Sequence, residues 1–93
     1  MALLVAHFSV RDVDEFRRFH GANETLRRDH GCLGARVAQD VQDPTIIVVL
    51  LDFSTVAQAQ AYLDAALAQG AVESSTMDGV PRIEIYGDAV TKN

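Results

Sequence analysis

Three histidines are the side chains of this chain best suited to transfer a proton near neutral pH. They are His7, His20 and His30. His7 lies within an apolar run, where removal from water would lower the pKa of its imidazole and leave a neutral base. We therefore predict His7 as the candidate catalytic base. A core histidine that is hydrogen-bonded to the backbone or to a carboxylate is the alternative interpretation.

The other two histidines fall on a predicted helix. His20 follows the apolar Phe19, and we predict that it lines a pocket together with Asn23; a half-exposed boundary position is the alternative. His30 stands near the helix end, where a positive charge interacts favourably with the helix dipole. The three histidines lack the H-x-H or H-x-x-x-H spacing of metal ligands, so no metal site is predicted.

Two tyrosines provide hydroxyl groups. Tyr62 lies on a second predicted helix beside apolar neighbours, and we predict that its hydroxyl reaches a cavity; packing in the core is the alternative. Tyr86 shares one face of the last predicted strand with Arg82 and Glu84, because alternate strand residues point the same way. We predict Tyr86 as a pocket-lining residue, with the rim of a dimer as its alternative place.

Composition limits the classes of function. The chain has 93 residues and a formal net charge of −5, which argues against binding a nucleic-acid backbone. No apolar run reaches the roughly 20 residues of a membrane helix, and the first residues lack the features of a signal peptide. The single Cys32 allows no internal disulfide and fits a reducing compartment. We predict one cytoplasmic domain over residues 1–93, with no membrane partner.

Six elements must position these side chains. A helix is expected from the N-cap Asp12 to about residue 29, with Gly31 after it, and another over residues 55–69, closed by Gly70. The second helix is expected to bury Val56, Ala59, Leu63, Ala66 and Leu67. The predicted strands are residues 2–10, 33–40, 45–53 and 82–86. Residues 71–81 are expected to be irregular, and residues 87–93 form a polar tail.

The order of the elements is βαββαβ, which predicts a ferredoxin-like α+β fold. Right-handed crossovers place both helices on one face of a four-stranded antiparallel sheet. The strands over residues 2–10 and 45–53 are the most apolar, and this topology makes them the two central strands.

Both central strands are apolar on both faces, although two helices can cover only one face of the sheet. An exposed second face would form a larger apolar patch than soluble monomers usually tolerate. A second copy of the chain, packed sheet to sheet, would cover it. We therefore predict a homodimer through the sheet face.

Several segments resemble the small proteins of the dimeric α+β barrel superfamily: residues 7–16, 31–34, 43–44 and 79–86. That superfamily includes proteins like the antibiotic-biosynthesis monooxygenases, small polyketide cyclases, haem-degrading enzymes and many proteins of unknown activity. The resemblance implies the ferredoxin-like fold and the dimer. It implies chemistry more weakly, because one fold hosts many functions.

The chain departs from the functional residues of these relatives. Tyr62 can stand for the tyrosine of the plant-type cyclases, but residues 65–68 contain no histidine to pair with it. The chain has no Trp, which the haem-degrading enzymes require, so no haem or other cofactor is predicted. The cofactor-free oxygenases rely on a Trp or a comparable aromatic cluster, and we expect that cluster to be missing here.

Three hypotheses for function follow. The first is a cofactor-free monooxygenase-like or cyclase-like enzyme that acts on a small aromatic or polyketide-like substrate, with His7 as base in a pocket between sheet and helices. The second is a non-catalytic protein that binds a small apolar ligand, and the third is a structural dimer. The first two require a pocket of about 300 Å³ or more beside His7.

Overall fold

The computed structural model describes residues 1–68 and 81–91. The elements are β1 (Ala2–Ser9), α1 (Val13–Ala22), α2 (Glu24–Asp29), β2 (Gly34–Gln39), β3 (Ile46–Phe53), α3 (Val56–Ala68) and β4 (Arg82–Tyr86). Most of the predicted irregular stretch, the predicted helix end at residues 69–70 and the last two residues of the predicted tail lie outside the described residues. No helix in the described ranges is both long and apolar enough to cross a membrane.

The four strands form one antiparallel sheet in the order β2-β3-β1-β4. The apolar strands β1 and β3 are therefore central, as the sequence predicts. Their register places Ala6 of β1 between Val49 of β3 and Ile83 of β4. This topology confirms the predicted ferredoxin-like α+β fold.

Burial alternates along the central strands, because successive side chains point to opposite faces of the sheet. On β1, Leu4, Ala6 and Phe8 are buried, whereas His7 between them is half-buried. We call the face of the buried residues the covered face. The open face is the other side of the sheet, and its side chains include Leu3, Val5, His7, Ile46, Val48, Leu50, Arg82, Glu84 and Tyr86.

The predicted first helix is interrupted at Asn23, so the described residues form three helices where two were expected. The N-terminus of α1 is as expected, because the Asp12 carboxylate accepts hydrogen bonds from the backbone N–H groups of Asp14 and Glu15. At the other end, the Asn23 side chain donates to the carbonyl of Phe19 at 3.0 Å. An Asn side chain bonded to the preceding turn competes with regular helix, and α2 begins directly after it.

The buried face of α3 also differs from the prediction. Ala59, Tyr62 and Ala66 are buried, whereas the expected core residues Val56 and Leu67 are about half-exposed. The small alanines allow a close approach of the helix to the sheet, and the Tyr62 ring packs against a strand residue, Phe53, at 5.7 Å between centroids. The large aromatic side chain therefore sets the rotation of α3.

Candidate functional site

A small cavity lies between the covered face and the helices, and we call it the inner cavity. Its volume is about 40 Å³. It is lined mainly by apolar side chains, with His20, Asn23, Arg27 and Tyr62 among them. This volume holds about one or two molecules the size of water, so the space between sheet and helices is too small for the aromatic substrate predicted to lie there.

A larger, open cleft lies on the outer side of the same wall, between α2 and the start of β2. Its volume is about 390 Å³, which is in the range of small-molecule sites. We call it the outer cleft, and it is lined by His20, Glu24, Arg27, Arg28, Cys32, Leu33, Gly34 and Ala35. Because His20 and Arg27 line both spaces, these two side chains form the wall between an apolar cavity and a polar cleft.

Arg27 is a buried charge, with only 7% of its surface exposed. Its Nη1 donates to the backbone carbonyl of His20 at 2.8 Å and lies 3.4 Å from Nδ1 of the same residue. No carboxylate of the described residues forms a salt bridge with Arg27, whereas Glu24 pairs with the neighbouring Arg28 at 3.0 Å. A buried charge is costly unless it is compensated, and among the described residues Arg27 is compensated only by neutral groups.

His20 is held in its neutral form. Burial, and next the positive charge of Arg27, lower the pKa of His20 from 6.5 to about 4. Its ring stacks on that of Phe16, with 5.9 Å between the ring centroids. At neutral pH this imidazole therefore has a lone pair that can accept a proton.

Tyr62 completes the polar part of the wall. Burial raises the pKa of Tyr62 more than the nearby positive charge of Arg27 lowers it. The hydroxyl is therefore protonated at neutral pH and can donate a hydrogen bond. The ring of His30 packs edge-on against the Tyr62 ring at 6.2 Å, which helps to fix its position.

The inner cavity is bordered by an aromatic cluster, contrary to the expectation from the sequence. Phe16 lies 5.5 Å from Phe8 and 6.3 Å from Phe19 between ring centroids. The three rings come from β1 and α1, so their proximity depends on how the helix packs on the sheet. The prediction that an aromatic cluster is missing was therefore wrong, although the cluster contains no Trp.

His7 and Tyr86 are not brought to this site. Both lie on the open face, and neither lines the inner cavity or the outer cleft. The His7 side chain is 36% exposed; its Nε2 lies 3.6 Å from Glu84 Oε1 and 3.1 Å from Arg82 Nη2. The hollow beside His7 measures about 230 Å³. The expectation of one pocket shared by His7, His20 and Tyr62 does not hold, because strand alternation sends His7 to the other face.

Of the residues predicted to line a pocket, the structure brings His20, Asn23 and Tyr62 to one wall. Arg27 was not among the residues predicted to form the site. Its position seven residues after His20 was the available signal, since that spacing places two residues on one side of a helical segment. Among the described residues, no three His, Cys, Asp or Glu side chains are grouped to hold a metal ion.

Comparison with protein families gives one match. The family model described as antibiotic biosynthesis monooxygenase matches residues 1–74 of the chain. No curated protein matches the chain.

Several solved structures share the fold. A candidate antibiotic biosynthesis monooxygenase from Bordetella bronchiseptica superposes with a TM-score of 0.78 at 16% identity, over 96% of this chain and 97% of that chain. Another from Nitrosomonas europaea is 24% identical, with a TM-score of 0.65 over 95% and 98% of the two chains. A variant of SnoaB, a cofactor-independent oxygenase from Streptomyces nogalater, is 11% identical, with a TM-score of 0.77 over 97% and 94%. At these identities the likeness concerns the fold.

Proposed function

Because the chain belongs to the antibiotic biosynthesis monooxygenase family, we propose that it oxygenates a small aromatic, polyketide-like substrate without a metal or bound cofactor. The substrate occupies the outer cleft. One observation carries the proposal: a neutral histidine, His20, and a buried cation with no carboxylate partner among the described residues, Arg27, form the wall between that cleft and an apolar cavity.

His20 takes the role of base in this proposal, in place of His7. Because a pKa of about 4 makes His20 a weaker base than a free imidazole, the C–H group that it deprotonates must be strongly acidified by the substrate's own rings or carbonyls and by Arg27. Arg27 then stabilises the resulting carbanion or enolate, because its charge is already desolvated and oriented before the reaction.

The substrate itself supplies the electrons for the reduction of dioxygen. A methylene group that is acidified by adjacent rings or carbonyls loses both hydrogens and becomes a carbonyl group. One oxygen atom of dioxygen enters that carbonyl, and the other leaves with the two hydrogens as water. No external reductant is needed.

The inner cavity gives dioxygen a place next to the reacting carbon. Apolar cavities bind small apolar molecules and are poorly hydrated. The cavity volume of about 40 Å³ and its mainly apolar lining suit a diatomic molecule. The aromatic cluster of Phe8, Phe16 and Phe19 borders this space.

Oxygen uptake tests the proposal. We expect uptake that depends on both protein and substrate with some member of a panel of polyketide-derived phenols that carry an activated methylene group. The His20→Gln variant should be at least about 100-fold slower, which is the usual contribution of a general base. His7→Gln is the matched control, because His7 lies on the open face and lines neither space. Equal rates for the wild type and His20→Gln would contradict the assignment of the base.

We also propose that the protein is a homodimer through the open face. Leu3 and Val5 on β1 and Val48 and Leu50 on β3 form an apolar centre on this face, and no described helix covers them. His7, Arg82 and Glu84 form a polar group beside that centre. A second copy packed sheet to sheet would remove the apolar centre from water.

A further inference from the structure

The geometry points to a carboxylate on the substrate, and we infer that Arg27 binds that carboxylate in the outer cleft. This inference rests on the proposed function only in that it uses the same cleft. It names a substrate class: small aromatic acids that are ionised at neutral pH.

The Arg27 guanidinium is buried and has no carboxylate partner among the described residues. Its residue is 93% buried, and no carboxylate among the described residues lies within salt-bridge distance. Burial of an arginine is unfavourable unless its charge is compensated. Since Arg27 lines a cleft that is open to solvent, an anion from outside can provide that compensation.

The Arg27 guanidinium has more N–H donors than the described residues occupy. A guanidinium has five N–H groups. Within the described part of the chain, two N–H groups of Nη1 face the carbonyl oxygen and Nδ1 of His20, and the Tyr62 hydroxyl accounts for at most one more. Two donors are left, which matches the two oxygens of one carboxylate.

The side chains that line the outer cleft carry an excess positive charge. Arg28 and Glu24 neutralise each other, and His20 is neutral at pH 7, so Arg27 leaves the lining with an excess positive charge. Leu33, which is 70% exposed at the cleft, offers an apolar surface for an aromatic ring. A single unpaired guanidinium suits a carboxylate better than a phosphate, which usually recruits several cations or a loop of backbone N–H groups.

Calorimetric titration with benzoate and its uncharged analogue benzamide tests the inference. The two molecules share ring and size, so their difference reports the carboxylate. We expect wild-type protein to bind benzoate at least tenfold more tightly than benzamide. Arg27→Gln should remove this preference, whereas Arg17→Gln should retain it. Arg17 has the same charge and pairs with Asp14 on the surface at 2.8 Å, away from the cleft.

A second measurement uses the wild type alone, because a change at a buried arginine can prevent folding. Saturating benzoate should raise the pKa of His20, since an anion on Arg27 offsets the charge that lowers this pKa. Benzamide should leave it unchanged. Glu24, Arg28, Cys32 and Tyr62 are the other titratable groups near this wall, and the benzoate-minus-benzamide comparison holds their contributions constant.

Three results would overturn the inference: no binding of benzoate, equal affinity for benzoate and benzamide, or a preference for benzoate that survives in folded Arg27→Gln. The proposed oxygenase activity is judged separately by oxygen uptake. Selective binding of benzoate without any oxygen uptake would leave the carboxylate site standing and contradict the oxygenase. Oxygen uptake with neutral phenols, but no preference for benzoate, would support the oxygenase and contradict the carboxylate site.

Discussion

At the level of single residues, the candidate site depends on the contact between His20 and Arg27. Arg27 lies with Nη1 3.4 Å from Nδ1 of His20, and its charge adds to the effect of burial on the histidine pKa. A base and an electrophilic group are thus positioned before any substrate binds.

The lowered pKa of His20 makes stability depend on pH. Its pKa is about 4 in the folded protein and 6.5 when unfolded, so the unfolded chain binds more protons between these values. The free energy of unfolding should therefore fall as the pH decreases from 6.5 to 4, by about 2 kcal/mol after allowance for partial exposure.

Urea denaturation at several pH values measures this effect. The difference in unfolding free energy between wild type and His20→Gln isolates the histidine from the carboxylates that titrate in the same range. A difference that stays constant from pH 7 to pH 4 would show that His20 titrates alike in both states.

At the level of elements, the site depends on two breaks in the α1–α2–β2 segment. The break at Asn23 lies between His20 and Arg27, which make a hydrogen bond across it. The turn after α2 passes through Gly31 with a φ of 82°, and the Cys32 N–H bonds to the Arg27 carbonyl at 3.0 Å. These local bonds shape the outer cleft.

Two glycine substitutions should have opposite effects on stability. Gly31→Ala should lower it by about 1 kcal/mol or more, because an L residue is strained at positive φ and its Cβ would lie 3.0 Å from Gln58 Nε2. Gly21→Ala should raise it by about 0.5 kcal/mol, since Gly21 is helical and nothing lies within 4 Å of the added carbon. Thermal unfolding compares them; a stabilising Gly31→Ala would contradict this account of the turn.

The strands and most ends of the helices could be predicted from the sequence, but the break at Asn23 and the candidate site could not. Apolar β1 and β3, the Asp12 cap and the Gly31 stop mark local features, and all appear as expected. Which side His7 faces depends on which face the helices cover, and periodicity alone leaves that choice open. The spacing of seven residues allows His20 and Arg27 to meet, but the pattern of apolar residues does not reveal that Arg27 is buried.

At the level of the whole molecule, the sheet separates two roles. The covered face and the helices provide the core and the His20–Arg27 wall, whereas the open face carries the apolar centre proposed to bind a second copy. His7 lies on the open face and is therefore placed beside the proposed dimer interface. Changes on the open face should therefore affect assembly.

The Val5→Glu variant tests assembly. Val5 lies on the open face, between Leu50 on β3 and Glu84 on β4. We expect light scattering to give a dimeric mass for wild type and a monomeric mass for Val5→Glu, because the added charge would be buried at the interface. Val41→Glu is the control at a fully exposed loop position and should remain dimeric. A monomeric wild type would contradict the proposed dimer.

The central claim is that His20, desolvated beside Arg27, is the neutral base of this protein. Its most direct test is an NMR pH titration of the imidazole nitrogens in the free protein, with His20 assigned by comparison with His20→Gln. We predict that His20 is half-protonated at a pH of about 4. Half-protonation near 6.5, the value of a solvated imidazole, would contradict it.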